Sequence, residues 1–146
     1  MSAPRLKLDA FTPYRIVALG RRMSEALGAA YRNEGISIPE WRVMAAVAQA
    51  PSVAARDVVA VTPMDKMAVS RAVAALERKG LIEREQRRDR RVSTLKLTAK
   101  GETLFERIAA IALRYEDSLL QRLPPSTRKA FLDGLAALET LERTAE

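Results

Sequence analysis

The sequence predicts a mainly helical α+β protein with one small β-hairpin. Three observations carry that prediction. Residues 62–80 read as one capped amphipathic helix. Two short strand-like runs follow it directly, flanking the basic tip Gln86-Arg87-Arg88-Asp89-Arg90-Arg91. Both chain ends carry apolar residues at helical spacing, more than a small domain needs to cover its own core. Helix, strand, basic tip and strand in that order is the layout of a winged helix-turn-helix. The spacing therefore divides the chain into an N-terminal arm and helix (1–36), a winged domain (37–101) and C-terminal helices (102–146). The first and last together read as a helical dimerisation region.

Residues 1–12, with Pro4, Arg5 and Lys7, read as a polar lead-in arm. A first helix is expected from residue 12 or 13 to 33. Ile16, Leu19, Gly20, Met23, Leu27, Ala30 and Tyr31 share one side, and Arg15, Arg21, Arg22 and Arg32 lie elsewhere around it. Asn33 and Gly35 end it. Ser37 opens the next helix, and Glu40 three residues on completes a capping-box pattern. Trp41, Met44, Ala45 and Ala48 form its stripe. The single tryptophan reads as an anchor in the core or at a domain junction, because large aromatics dominate burial; a place in a ligand pocket is the alternative. Pro51 and Ser52 break this helix, and residues 53–60 read as the short helix that crosses ahead of a recognition helix. Arg56 on it reads equally well as a phosphate contact or as a solvated side chain.

In the helix of residues 62–80, Thr62 is the expected N-cap, with Pro63 at the first helical position and Asp65 near the positive end of the dipole. Val69, Ala72, Val73 and Leu76 form an inner stripe. The opposite face carries Met67, Arg71, Ala74 and Arg78, with Ser70 on its flank and no acidic side chain in its middle. Gly80 stops the helix after the cationic Arg78 and Lys79. Residues 81–85 and 92–98 form the hairpin strands, Leu95 and Leu97 pointing to one face. Four arginines and no glycine make an odd tight turn but a sensible tip for phosphates or a minor groove. Thr98 is expected to cap a long helix with Leu104, Ile108, Ile111, Tyr115 and Leu119, running to about residue 123. Pro124-Pro125 stops it, and Ser126 caps a final helix holding Phe131, Leu135, Leu138 and Leu141 or Glu142.

Composition narrows the function further. The 146 residues carry a net charge of +7, unevenly: residues 38–100 hold thirteen basic and seven acidic groups, whereas residues 101–146 are net acidic. The positive charge thus falls on the helix and hairpin, as a footprint for a polyanion should. The chain has no cysteine and no histidine, which removes thiol chemistry, the usual zinc ligands and the common general base. Without a Gly-rich phosphate loop or a paired acidic motif either, the sequence predicts no enzyme, no metal and no cofactor. No run is long and apolar enough to span a membrane, and the N-terminus lacks a signal-peptide core, so a cytoplasmic protein is expected.

The run DKMAVSRAVAALERKGLIER, followed by DRR and LKLTAKG, resembles the MarR family of bacterial winged helix-turn-helix transcriptional regulators. Ser37-Ile38-Pro39-Glu40-Trp41-Arg42-Val43 resembles the start of that family's second helix. The likeness extends over the chain in length and element order, and is most specific at Asp89-Arg90-Arg91, Leu97-Thr98 and Gly101. It implies a homodimer on a near-palindromic operator, acting as a repressor. It places Ser70 and Arg71 on the recognition helix, makes Arg90 or Arg91 a minor-groove arginine, and has Asp89 orient that arginine.

The expected interface comprises Lys66, Met67, Ser70, Arg71 and Ala74 on the helix and Arg84, Arg87, Arg88, Asp89, Arg90 and Arg91 on the wing. The resemblance also implies a small phenolic or lipophilic effector in a crevice beside the winged domain. Arg15, Tyr31, Trp41 and Tyr115 are candidates to line it, each equally explained by packing or solvation. The alternative function is a winged-helix module that binds DNA without sequence choice, or binds protein, with no effector control.

Overall fold

In the computed structural model, residues 3–86 and 93–144 are described; they form six α-helices, one 3₁₀ turn and a three-stranded sheet. The chain divides into two units, Met1–Ala109 and Ala110–Glu146.

In the first unit, helix α1 (Thr12–Ala30) is followed by a 3₁₀ turn (Arg32–Glu34) that closes at Gly35. The α-helix thus stops three residues before the predicted end, and the last predicted turn tightens to 3₁₀ geometry, as helix ends often do. Helix α2 (Ile38–Val47) begins with the predicted capping box: Ser37 Oγ accepts the Glu40 N–H at 3.2 Å, and Glu40 Oε1 accepts the Ser37 N–H at 3.1 Å. Residues 53–60 are not one helix. Val53–Ala54 form a short strand β1, and α3 spans Ala55–Val61. A two-residue strand has no alternation to read, and only its partner reveals it.

Helix α4 (Lys66–Arg78) corrects the predicted cap. Asp65, not Thr62, is the N-cap, its carboxylate accepting the Ala68 N–H at 2.8 Å. Thr62 instead ends α3, its hydroxyl donating to the Val58 carbonyl at 2.8 Å. Pro63 lies outside both helices. The predicted inner stripe is intact: Val69, Ala72, Val73 and Leu76 are all buried. Full burial of a side chain such as Leu76 contributes about 1.5–3 kcal/mol. At the other end Gly80 adopts φ 71°, the Gly80 N–H donates to Glu77 O, and the Leu81 N–H donates to Leu76 O, each at 3.0 Å. This left-handed exit turns the chain directly into the sheet.

Strands β2 (Ile82–Gln86) and β3 (Ser93–Leu97) are antiparallel, Ile82 opposite Leu97 and Gln86 opposite Ser93. β1 pairs on the other edge of β3, Val53 opposite Leu95, giving the order β1-β3-β2. The core gathers Val43, Met44 and Val47 of α2, Val58 of α3, the α4 stripe, and Leu81, Ile82 and Leu95. Helix α5 (Ala99–Leu120) is capped as predicted by Thr98, whose Oγ1 accepts the Gly101 N–H at 3.0 Å, and its Leu104 and Ile108 join that core.

In the second unit, the final turns of α5 lead through Pro124 into α6 (Pro125–Thr144). The Arg128 guanidinium donates to the Leu120 and Leu123 carbonyls at 3.0 and 3.3 Å, satisfying the end of α5. Ser126 is not the cap expected of it. The Pro124 carbonyl accepts the Arg128 N–H at 2.9 Å, so Ser126 lies inside the first turn. No residue described in α6 is buried, and Phe131, Leu135, Leu138 and Leu141 remain exposed. No helix among the described residues is long and apolar enough to cross a membrane.

Candidate nucleic-acid interface

The outer face of α4 is the feature that the burial of its inner stripe creates. With Val69, Ala72, Val73 and Leu76 fixed in the core, helical phasing turns Met67, Ser70 and Arg71 outward. All three are exposed, Met67 at 71%, while Ala74 is half-buried. Lys66 starts the helix and is exposed, and so is Arg78 at its other end. Among the described residues, Lys66, Arg71 and Arg78 make no ion pair and no side-chain hydrogen bond, so their charges face solvent.

Lys66 and Ser70 also border a small cleft of about 310 Å³ between α3 and α4, with Arg56 opposite and Ala55, Val59 and Val69 beneath. Arg56 is exposed. The helix pair therefore presents a continuous basic and hydroxyl-bearing edge, which suits phosphate contact around a face of small side chains that can approach base edges.

Arg84 sits on β2 and is already engaged. It donates to Glu77 of α4 at 2.8 Å and to Ser93 Oγ at 3.4 Å. Glu77 is a partner that the sequence reading missed, because the seven-residue separation crosses a helix end and carries no periodic signal. Across the same hairpin, Lys96 lies between Glu83 at 3.2 Å and Glu85 at 2.5 Å. Hydrogen bonds to Glu85 and then to Glu83 push its pKa up, so it stays an ammonium held by two carboxylates. The remaining wing residues named from the sequence, Arg87, Arg88, Asp89, Arg90 and Arg91, lie outside the described residues.

Two of the crevice candidates meet within the first unit. Tyr31 and Trp41 meet at 5.9 Å between ring centroids, and Trp41 stacks on Phe105 at 5.6 Å with a 20° interplanar angle. Tyr31 is only 2% exposed; burial raises its phenol pKa, with Arg42 pulling the other way. Phe105 was not singled out in the sequence, since one aromatic on a long apolar stripe has no distinguishing pattern. Arg15 borders a separate recess of about 680 Å³ with Tyr14 and Leu19 on the first half of α1 and Leu8 from the segment before it. Tyr115 belongs to the second unit.

Comparison with known proteins agrees with this geometry. The sequence profile of the MarR family matches residues 34–92, from the end of the 3₁₀ turn into the hairpin. The chain is 28% identical over 116 residues to the HTH-type transcriptional regulator BilQ of Clostridium symbiosum, covering 79% of this chain and 78% of that protein. It superposes on a MarR/EmrR family transcriptional regulator from Acinetobacter sp. ADP1 with a TM-score of 0.82 and 26% identity, covering 95% and 99% of the two chains. Bordetella bronchiseptica BpsR, whose DNA binding is regulated by 6-hydroxynicotinic acid, has the same fold, with a TM-score of 0.79, 19% identity and 93% and 98% coverage. The inner stripe that fixes the outward face of α4, the hairpin that follows it and these likenesses converge: the winged part of the chain is similar to the MarR family of transcriptional regulators.

Proposed function

We propose that the protein is a sequence-specific repressor that binds a near-palindromic operator as a homodimer. The observation that carries this reading is the unpaired, exposed face of α4, with Lys66, Met67, Ser70 and Arg71 set over a fully buried stripe. Arg71 and Ser70 read base edges in the major groove, arginine being the commonest reader of guanine, with Met67 and Ala74 as apolar neighbours. Arg56 and Lys66 hold phosphates. Arg87, Arg88, Arg90 and Arg91 hold phosphates or the minor groove, and Asp89 orients the groove arginine. Arg84, tied to Glu77, sets the base of the wing against α4 and contributes its charge at a distance. The reading is of a binding protein and not of an enzyme.

The exposed apolar residues Ile16 and Leu19 on α1, and Phe131, Leu135 and Leu138 on α6, support dimerisation through both chain ends. A two-fold dimer would set the recognition helices about one DNA turn apart, ~34 Å. Regulation of BpsR by 6-hydroxynicotinic acid supports release by a small organic effector, with the Tyr31–Trp41–Phe105 cluster as the seat that we favour over Arg15 and Tyr115.

Fluorescence anisotropy against duplex from the gene's own upstream region, with a scrambled control and a salt series, tests the reading. If six to ten phosphates are neutralised per dimer, affinity falls roughly 10³–10⁵-fold between 50 and 200 mM salt. Preference for a specific site over scrambled duplex by about 10³ or more is expected at physiological salt. Equal affinity for both, followed by no preferred site in a genome-derived library, would leave a non-specific winged-helix binder.

A further inference from the structure

We propose that Met67 is a modification site: a two-electron, oxygen-transferring oxidant such as hydrogen peroxide converts it to the sulfoxide and so disarms the outer face of α4. Met67 is the second residue of α4 and is 71% exposed. Of the other described methionines, Met44 is fully buried and Met23 and Met64 are half-buried. The chain has no cysteine to consume the oxidant first. A thioether needs no deprotonation to react, so access from solvent decides which methionine is taken. The effect on DNA rests on the DNA-binding reading of α4; the oxidation itself does not.

In the step, a lone pair on the Met67 sulfur attacks one oxygen of the peroxide. The S–O bond forms as the O–O bond breaks, and the departing hydroxide takes up the proton of the transferred oxygen and leaves as water. Sulfur loses two electrons and the peroxide gains them. The product leaves the net charge unchanged, but an apolar side chain has become a polar one with an acceptor oxygen. Ser70 and Arg71 lie three and four residues on, along the same side of the helix. Arg71 has no ion pair and no side-chain hydrogen bond among the described residues, so its five N–H donors are uncommitted. A sulfoxide oxygen one helical turn away can accept from that guanidinium and draw it from the guanine edge that it reads. The thioether suits a thymine methyl, whereas the sulfoxide dipole must be desolvated to sit there. Both effects act on base contacts and spare phosphate contacts. DNA in turn covers Met67, so the free protein is the form that oxidises.

The test treats the full chain with hydrogen peroxide, with and without the duplex it prefers, and maps methionine sulfoxide by peptide mass spectrometry. DNA anisotropy across a salt series follows. Sulfoxide is expected at Met67 sooner than at Met23, Met44 or Met64, and bound duplex should slow it. Affinity for the preferred duplex should fall about tenfold at an unchanged salt slope, because no charge is added or removed. Methionine sulfoxide reductases acting on both epimers should restore it. Each variant is compared with itself before and after treatment. Met67→Leu should lose no affinity to peroxide, and Met64→Leu should lose as much as the wild type. Met67→Gln, which sets an amide acceptor at the same place without oxidant, should bind about tenfold more weakly than Met67→Leu. Oxidation of Met67 no faster than that of the half-buried methionines, or an equal loss in Met67→Leu, would overturn the site. Full DNA affinity with Met67 oxidised would overturn the switch, and a changed salt slope would refute the base-contact mechanism. An untreated chain that prefers no duplex is a failure of the DNA reading, and leaves the mass-spectrometric selectivity intact.

Discussion

A methyl group added at Gly101 would meet the Leu81 carbonyl oxygen well inside van der Waals contact and sit 3.0 Å from the carbonyl carbon. Both neighbours are backbone, and that carbonyl already accepts the Thr98 N–H at 3.1 Å, so nothing flexible can yield. Gly101→Ala should therefore cost ~1–3 kcal/mol or more, read as a lowered urea midpoint at unchanged slope. Glu40 makes a second prediction at this scale. Burial pushes its carboxyl pKa up, but hydrogen bonds from Lys79 and Ser37 outweigh that and hold it below its usual 4.5. Because the folded pKa is depressed, its contribution is present above that value and lost as pH falls through the folded pKa. Glu40→Gln should lower stability at neutral pH and flatten the loss seen in the wild type between about pH 5 and pH 3. Equal acid profiles for the two proteins would remove Glu40 from that role. The capping half of this arrangement was legible as Ser37 and Glu40 three residues apart. The Lys79 half was not, because a partner 39 residues away leaves no local trace.

At the scale of the element, α4 divides cleanly between what periodicity reveals and what it does not. Its inner stripe and its Gly80 exit follow from spacing and from the need for a left-handed residue. Its start does not: the sequence points to Thr62 as the cap, and Asp65 takes that role. Which one serves depends on where α3 ends, and Thr62 is used there. Asp65→Ala should then cost about 1 kcal/mol of stability, with Thr62→Ala leaving the α4 N-terminus intact; helix-terminal hydrogen exchange distinguishes the two. On the outer face, Arg71→Ala should relax base preference at a few half-site positions by about 1–3 kcal/mol per base pair. An unchanged profile from a randomised-site selection would show that the helix meets DNA by a different face. The short strand β1 belongs to the same lesson. Val53 and Ala54 are extended because the edge of β3 is there to pair with them.

For the whole molecule, the decisive quantity is the apolar surface that one chain leaves uncovered. Helix α6 has no buried residue among those described, yet Phe131, Leu135 and Leu138 are set at regular helical spacing. If this stripe builds the proposed homodimer, Leu138→Glu should shift the sedimentation equilibrium from dimer to monomer while the thermal unfolding of the winged unit stays near wild type. It should also weaken operator binding, since two half-sites are no longer linked. A variant that remains dimeric would assign the α6 stripe to a different use.

The sequence by itself determined the order of the helices and of the two hairpin strands, the buried stripe of α4, the capping box of α2, the cap of α5 and the basic bias of the middle of the chain. All of these are local: they depend on residue type and on spacings of a few positions, which periodicity and capping chemistry register directly. Only the tertiary structure decided that Asp65 and not Thr62 caps α4 and that Val53–Ala54 join the sheet. It also engaged Arg84 with Glu77 and separated Tyr31 and Trp41 from Arg15. Each of those outcomes turns on groups brought together across helix ends or from distant parts of the chain, whose approach is set by packing and not by sequence spacing.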